Sequence, residues 1–158
     1  MRFSKAVVLP YHIELLQAHG PDPADMYSAT TSISFCYGHR LLHHKGKCRH
    51  LHGHNARAVI TLETDELNDL GMVRDFSDIK HSVKEWLERD IDHTLLLHRE
   101  DPFLPAVQEA GERVYVMDNN PTAENIAKLI FEHVAALGYP VVTVTLWETD
   151  TSYASYRP

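Results

Sequence analysis

Within sixteen residues the chain places His39, Cys48 and the paired His52-Gly53-His54. Catalytic zinc sites commonly take three protein ligands and leave a fourth position open for water or substrate, and three histidines beside a thiol meet that demand. Nitrogen ligation favours zinc over calcium or magnesium, which want oxygen; ligand type alone leaves iron, nickel and copper open. Cys48 lies between Lys47 and Arg49, and nearby positive charge favours a thiolate. Spacing does not separate its three possible roles: fourth metal ligand, nucleophile or proton acceptor. Asp92-His93 offers an acid–base pair, and Glu148 a carboxylate at a strand end. The plainer alternatives are surface histidines in a chain that has twelve, a helix-stop segment at Asp92-His93, and a solvated carboxylate at Glu148.

These residues need elements to hold them. From Ala29 to His39 the sequence alternates, with Ile33, Phe35, Tyr37 and His39 against Ser32, Ser34, Cys36 and Gly38. Alternate residues of a strand share a face, so His39 ends the apolar face while Cys36 points away from it, as a packing residue and not a partner for Cys48. A second strand, His52 to Glu63, carries His52, His54, Ala56, Ala58, Ile60 and Leu62 on one face. The two imidazoles of the His-x-His therefore lie on the same side. Gly53 between them lets another backbone or a ligand come close. The loop Leu41–Leu51 between the strands is basic, with Arg40, Lys45, Lys47 and Arg49; it reads as a solvated segment or as a subsite for an anion.

Further along, Asp65 to Gly71 is a turn, and Asp75 caps a helix with Phe76, Ile79, Val83, Trp86 and Leu87 on one stripe, ending near Arg89 or Asp90. Residues 98–112 read as a loop with at most a turn of helix. Val114–Met117 is a short strand. Pro121-Thr122 opens a second helix with Ile126, Leu129, Ile130, Val134 and Leu137 inward and Gly138 as its stop. Val141–Trp147 and a segment through Tyr153 and Tyr156 are the last strands. Before all this, residues 1 to about 27 form a preface, with a short helix near Ile13–Ala18 and turn punctuation at Gly20-Pro21-Asp22-Pro23. The strands outnumber what two helices cover and leave an open sheet edge, which predicts an oligomer.

Bulk properties narrow the function classes. The chain has 158 residues, 44% hydrophobic and 23% charged, which suits one globular domain. A net charge of −7 argues against a nucleic-acid binder. No stretch approaches the roughly 20 apolar residues of a membrane span. The apolar run Ala6–Leu9 is cut by Pro10, His12 and Glu14, which predicts no secretory signal. Two cysteines make no disulfide scaffold, so the expected compartment is a reducing cytoplasm.

Taken together, Phe35-Cys-Tyr-Gly-His39-Arg-Leu41, Cys48-Arg-His-Leu-His52-Gly-His54-Asn55, Gly71-Met-Val-Arg-Asp75-Phe76, Asp92-His93, Pro121-Thr122-Ala-Glu124-Asn125 and Trp147-Glu148-Thr149 resemble the 6-pyruvoyl-tetrahydropterin and 6-carboxytetrahydropterin synthase family. The resemblance covers roughly residues 29 to 157. It implies an α+β tunnelling fold (T-fold): a ββααββ subunit with an antiparallel sheet and two helices, residues 29–158, after an extension at 1–28. Such subunits assemble into an oligomeric barrel, commonly a hexamer of two trimers, with active sites at subunit boundaries. It also implies His39, His52 and His54 as zinc ligands, Cys48 as proton acceptor, His93 as relay partner with Asp92 alongside, and Glu148 as the catalytic carboxylate that anchors a pterin ring and joins the relay. Thr122 and Glu124 match a helix start near the pterin pocket. The implied substrate is 7,8-dihydroneopterin triphosphate.

The family divides by chemistry. Cys48, with no glutamate between it and His52, argues against the folate-type branch. The stretch from Lys47-Cys48 to His54 is similar to the queuosine type, which yields 6-carboxytetrahydropterin and acetaldehyde; the pyruvoyl product is the alternative. A non-catalytic zinc-stabilised pterin-binding oligomer is the alternative of another class. Cys36-Tyr37-Gly38 departs from the small residues usual before the first zinc histidine, and Ile91 from the leucine usual before Asp-His.

Overall fold

In the computed structural model, residues 25–158 are described. The helix expected near Ile13–Ala18 and the turn at Gly20–Pro23 lie outside the described residues. The element order is β1 (Tyr27–His39), a single 3-10 turn (Lys47–Arg49), β2 (His52–Thr64), α1 (Phe76–Asp90), β3 (Thr94–His98), α2 (Leu104–Glu109), β4 (Val114–Met117), α3 (Ala123–Ala136), β5 (Val141–Thr149) and β6 (Ser152–Tyr156).

The strands form one six-stranded sheet in the order β4-β3-β1-β2-β5-β6. Its centre is the long antiparallel pair β1 and β2, in register from Tyr27 opposite Thr64 to His39 opposite His52. β5 and β6 extend this antiparallel half. On the other side β3 runs parallel to β1, and β4 parallel to β3. The expected α+β class holds, but the sheet is mixed where an antiparallel one was expected, and a third, six-residue helix joins the expected two. Reaching a parallel neighbour requires a crossover, and α1 supplies it between β2 and β3.

Alternation explains the layering. Ile33, Phe35 and Tyr37 of β1, Ala56, Ala58, Ile60 and Leu62 of β2, and Val144 and Leu146 of β5 are all buried on one face. They pack with Ile79, Val83, Trp86 and Leu87 of α1 and Ile126, Ile130 and Val134 of α3 in one core. Two residues assigned inward from sequence are exposed instead: Phe76 at 51% and Leu137 at 44%. Both sit at helix ends, where the stripe has already turned off the sheet. The caps behave as expected. Asp75 accepts from the Ser77 N–H at 2.7 Å, and Gly138, at φ 83°, donates to the Ala135 carbonyl in the left-handed conformation that ends helices.

Sequence reading passed over β3, Thr-Leu-Leu-Leu-His. Leu96 and Leu97 are both fully buried, so the strand is covered on both faces and shows no period of two. β4 and β6 each have one neighbour among the described residues, leaving their outer edges unpaired. No helix among the described residues is long and apolar enough to cross a membrane.

Candidate metal and ligand site

The site begins where the aliphatic face of the sheet runs out. At the end of the β1–β2 pair, Tyr37 stands opposite His54 and His39 opposite His52, so the period of two that buries Phe35 and Ala56 continues into polar side chains. Ligand nitrogens of His39, His52 and His54, the three histidines singled out from the sequence, lie within 4.8 Å of one another. His39 is 3% exposed.

Hydrogen bonds fix two of the rings. The Nδ1 of His39 lies 2.7 Å from the Pro121 carbonyl and that of His52 lies 2.8 Å from the His50 carbonyl. A carbonyl only accepts, so each Nδ1 carries the proton and each Nε2 presents a lone pair. The two Nε2 atoms face each other at 3.0 Å. Two lone pairs so placed repel unless a proton or a metal ion lies between them. Ligands about 2.0–2.1 Å from a tetrahedral zinc stand roughly 3.3 Å apart, close to this spacing, and a carbonyl behind a ligating imidazole is the usual support for one. The donor set therefore fits a zinc-like ion. Burial pushes His39 below the ordinary imidazole range, outweighing the Pro121 hydrogen bond and the charge of Glu148; a neutral ring is what a metal requires.

Glu148 arrives from β5. Trp147 pairs with Tyr153 and Thr149 with Ser152, so Glu148 is the extra residue of a β-bulge, a device that re-aims a side chain. Its Oε1 lies 4.0 Å from His39 Nε2 and 3.9 Å from His54 Nε2, and it accepts the Tyr37 hydroxyl at 2.6 Å. Burial first, then the hydrogen bond and charge of Glu148, raise the Tyr37 phenol far above its usual range, so it stays a donor.

A cavity of about 400 Å³ collects these groups: His39, His52 and His54, with Cys48, Glu148 and the helix start Thr122–Glu124. Cys48, half-buried in the 3-10 turn, is held by its own carbonyl, which accepts from Leu41 N–H at 2.8 Å. Thr122 is the N-cap of α3, its hydroxyl accepting from Asn125 N–H. Asn120 ties the two walls together: its side chain accepts from Leu42 N–H at 2.7 Å and donates to Leu42 O at 3.0 Å. Asn120 was not singled out from sequence, and Tyr37 only as a departure that could reshape the pocket, not as a partner of Glu148. Asn120 directly precedes the Pro121-Thr122 motif, which was the one signal available for it.

Asp92 and His93 do not join this cavity within one chain. Asp92 accepts the Cys36 backbone N–H at 2.8 Å with one oxygen and lies 2.7 Å from His93 Nδ1 with the other. Burial opposes its ionisation, but the Cys36 N–H and the His93 contact together hold its carboxyl below the usual range. His93 adopts φ 53°, a left-handed turn between α1 and β3. His93 borders a second cavity of about 630 Å³ with Cys36, His54, Asn55 and Arg113. Cys36, Asp92 and His93 also lie within 4.8 Å of one another, yet both Asp92 oxygens are already hydrogen-bonded, which describes an oriented dyad better than a metal cage. Both cysteines are free, and Cys36 points away from the core as expected.

The basic loop is less uniform than its sequence. Lys45, Lys47 and Arg49 are exposed, but Arg40 is 14% exposed, lies 3.3 Å from the fully buried Asp101 carboxylate and stacks on Phe103 at 4.7 Å. Arg40 is committed to the fold and leaves the free positive charge to the other three.

A family model described as 6-pyruvoyl tetrahydropterin synthase matches residues 28–158. A protein of Rickettsia conorii named 6-carboxy-5,6,7,8-tetrahydropterin synthase is 36% identical over 135 residues, covering 81% of this chain and 98% of its own. One of the same name from Rickettsia typhi is 44% identical over 104 residues, 65% of this chain and 75% of its own. Among solved structures, an uncharacterized protein from Wolinella succinogenes superposes with a TM-score of 0.72 at 26% identity, covering 85% of this chain and 99% of its own. The 6-pyruvoyl tetrahydropterin synthase of Caenorhabditis elegans does so with a TM-score of 0.63 at 23% identity, covering 85% and 96%. These likenesses agree with the T-fold subunit expected from the sequence.

Proposed function

The chain belongs to the 6-pyruvoyl tetrahydropterin synthase family, and from that premise we propose that it converts 7,8-dihydroneopterin triphosphate and water to 6-carboxytetrahydropterin, acetaldehyde and triphosphate, the queuosine-type reaction. The relatives named 6-carboxy-5,6,7,8-tetrahydropterin synthase support this branch. The observation that carries it is the single cavity bringing three histidines, Cys48 and Glu148 together, a constellation with both an electrophile site and a proton acceptor.

In this reading His39, His52 and His54 hold zinc, whose contribution is Lewis acidity toward the side-chain oxygens of the substrate. Glu148 faces the guanidine-like edge of the pterin, where a carboxylate accepts two parallel N–H bonds as it does from arginine. Thr122 and Glu124 close the pocket beside the ring. Cys48, as thiolate, takes a carbon-bound proton, and the Asp92–His93 dyad transfers another as general acid–base. Within one chain His93 lines a different cavity from Cys48, with His54 bordering both, and in this proposal the dyad reaches the substrate from a neighbouring copy. Active sites then lie at subunit boundaries of a homo-oligomer; a hexamer of two trimers is what the family resemblance implies, and a cytoplasmic location is what the cysteine usage implies. Lys45, Lys47 and Arg49, exposed on the loop that carries Cys48, would meet the triphosphate.

The test is to incubate zinc-loaded protein with 7,8-dihydroneopterin triphosphate, identify products by mass spectrometry and trap acetaldehyde. Carboxytetrahydropterin with acetaldehyde supports the proposal; a pyruvoyl product moves the protein to the other branch. Cys48→Ala should keep its zinc and lose turnover by at least about 100-fold, the scale of a general acid–base contribution. Loss of zinc in that variant would overturn the proton-acceptor role.

A further inference from the structure

Glu148 is held by a contact that the proposed reaction does not use. As the extra residue of the β5–β6 bulge, it has no partner in that register. What fixes its side chain comes from β1: the Tyr37 hydroxyl donates to Oε1 at 2.6 Å. Tyr37 is itself 3% exposed, with its ring packed on Phe35 at 5.8 Å, His39 at 5.2 Å and His54 at 5.8 Å. A phenol whose ring is confined on these sides can direct its O–H along essentially one line. Oε1 is thereby turned toward Tyr37 and the imidazoles, while the carboxylate, 22% exposed, presents its remaining lone pairs to the cavity.

We propose that Tyr37 is a positioning residue: its hydroxyl holds the Glu148 carboxylate in the orientation that clamps the N–H groups of a planar, guanidine-like ligand edge. This rests on Glu148 being the pterin anchor. A glutamate free to rotate must lose rotamer freedom when it engages a ligand, whereas one already latched does not. The latch therefore acts on binding, and the chemistry at Cys48 is untouched by it.

Tyr37→Phe keeps the ring and removes the hydroxyl. The experiment measures KM and kcat on 7,8-dihydroneopterin triphosphate and, without turnover, the Kd of biopterin by fluorescence quenching, for the wild type, Tyr37→Phe, Glu148→Gln and the double variant. A hydrogen bond to a charged group corresponds to roughly a tenfold effect or more. The expected result is a rise in KM and Kd of about tenfold in Tyr37→Phe with kcat within about threefold, and less than about twofold further change when Tyr37→Phe is added to Glu148→Gln, because the two act as one unit. Unchanged KM and Kd in Tyr37→Phe, with Glu148→Gln impaired, overturns the latch and leaves the function standing. A Glu148→Gln variant that binds biopterin as well as the wild type overturns the anchor and the latch together. If Tyr37→Phe does not fold, Glu148→Asp draws the carboxylate out of the hydroxyl's reach while keeping its charge; an unchanged KM there also overturns the proposal.

Discussion

Gly53 sits between the two histidines of β2, and replacing it with alanine should damage the metal site without touching a ligand. An added Cβ would lie 2.8 Å from the Tyr37 carbonyl oxygen and 3.7 Å from Gly38 Cα. Both obstacles are backbone of the neighbouring strand, so no rotamer change relieves the clash. β1 and β2 must part by about half an ångström at the Gly38–Gly53 pair, where His39 and His52 follow on one side and Tyr37 and His54 on the other. Overpacking of this kind costs typically about 1–3 kcal/mol. Alanine gains back about 0.4–1 kcal/mol by restricting the unfolded chain, for a net loss of about 1–2 kcal/mol. The ligands move with the strands, so zinc affinity should fall about 10- to 100-fold, as when a ligand's supporting contacts are altered. Zinc competition against a chromophoric chelator measures the affinity, and urea unfolding of the metal-free protein measures stability at one fixed concentration, since the proposed assembly would make midpoints concentration-dependent. An alanine variant with native zinc affinity and stability would refute the close-packed strand pair as the frame of the site.

Other outcomes follow from contacts described above. Asn120→Ala removes both hydrogen bonds to Leu42, each contributing about 0.5–1.5 kcal/mol; a loss of about 2 kcal/mol is expected in denaturant unfolding, with turnover falling more than zinc binding because the Cys48 loop comes adrift from α3, and equal losses in both would count against this. His133 stacks on Trp86 at 4.0 Å with a buried Nε2 that has no hydrogen-bond partner, and burial first, then Arg89, lowers its pKa. A depressed folded pKa means its contribution is complete above the ordinary imidazole value of about 6.5 and is lost as pH falls through the folded value. The drop in unfolding midpoint from pH 7.5 to 5.5 should thus be smaller in His133→Phe than in the wild type; identical drops would contradict the assignment.

What could be read in advance was whatever repeats locally. Alternation from Ile33 to His39 and from His52 to Leu62 located the two central strands and put both histidines of the pair on one face, and the Asp75 cap and Gly138 stop bounded their helices. β3 escaped because Leu96 and Leu97 are buried on opposite faces, which erases the alternation. With β3 unseen, β4 was read as a strand without a partner and the parallel pairing had no signal. Arg40 looked like one of four loop cations, but Asp101, which neutralises it, lies far along the chain. The Tyr37–Glu148 contact joins residues 111 positions apart; no spacing rule announces such a pair, and only the sheet register brings β1 and β5 to bear on the same cavity.

The bulge at Glu148 also says where this chain can change length. Side chains alternate faces along a strand, so adding or removing one residue of β5 ahead of Trp147 would exchange the outlooks of Trp147 and Glu148. Trp147, whose ring lies 4.3 Å from Tyr153, would turn toward the imidazoles, and the carboxylate would turn out among the aromatics. The exposed turn at 110–112 carries no such constraint, whereas Asp101 and Phe103 before it are tied to Arg40. Descendants of this sequence should therefore accumulate insertions in that turn, while the few residues after Leu146 keep their count even as their identities drift.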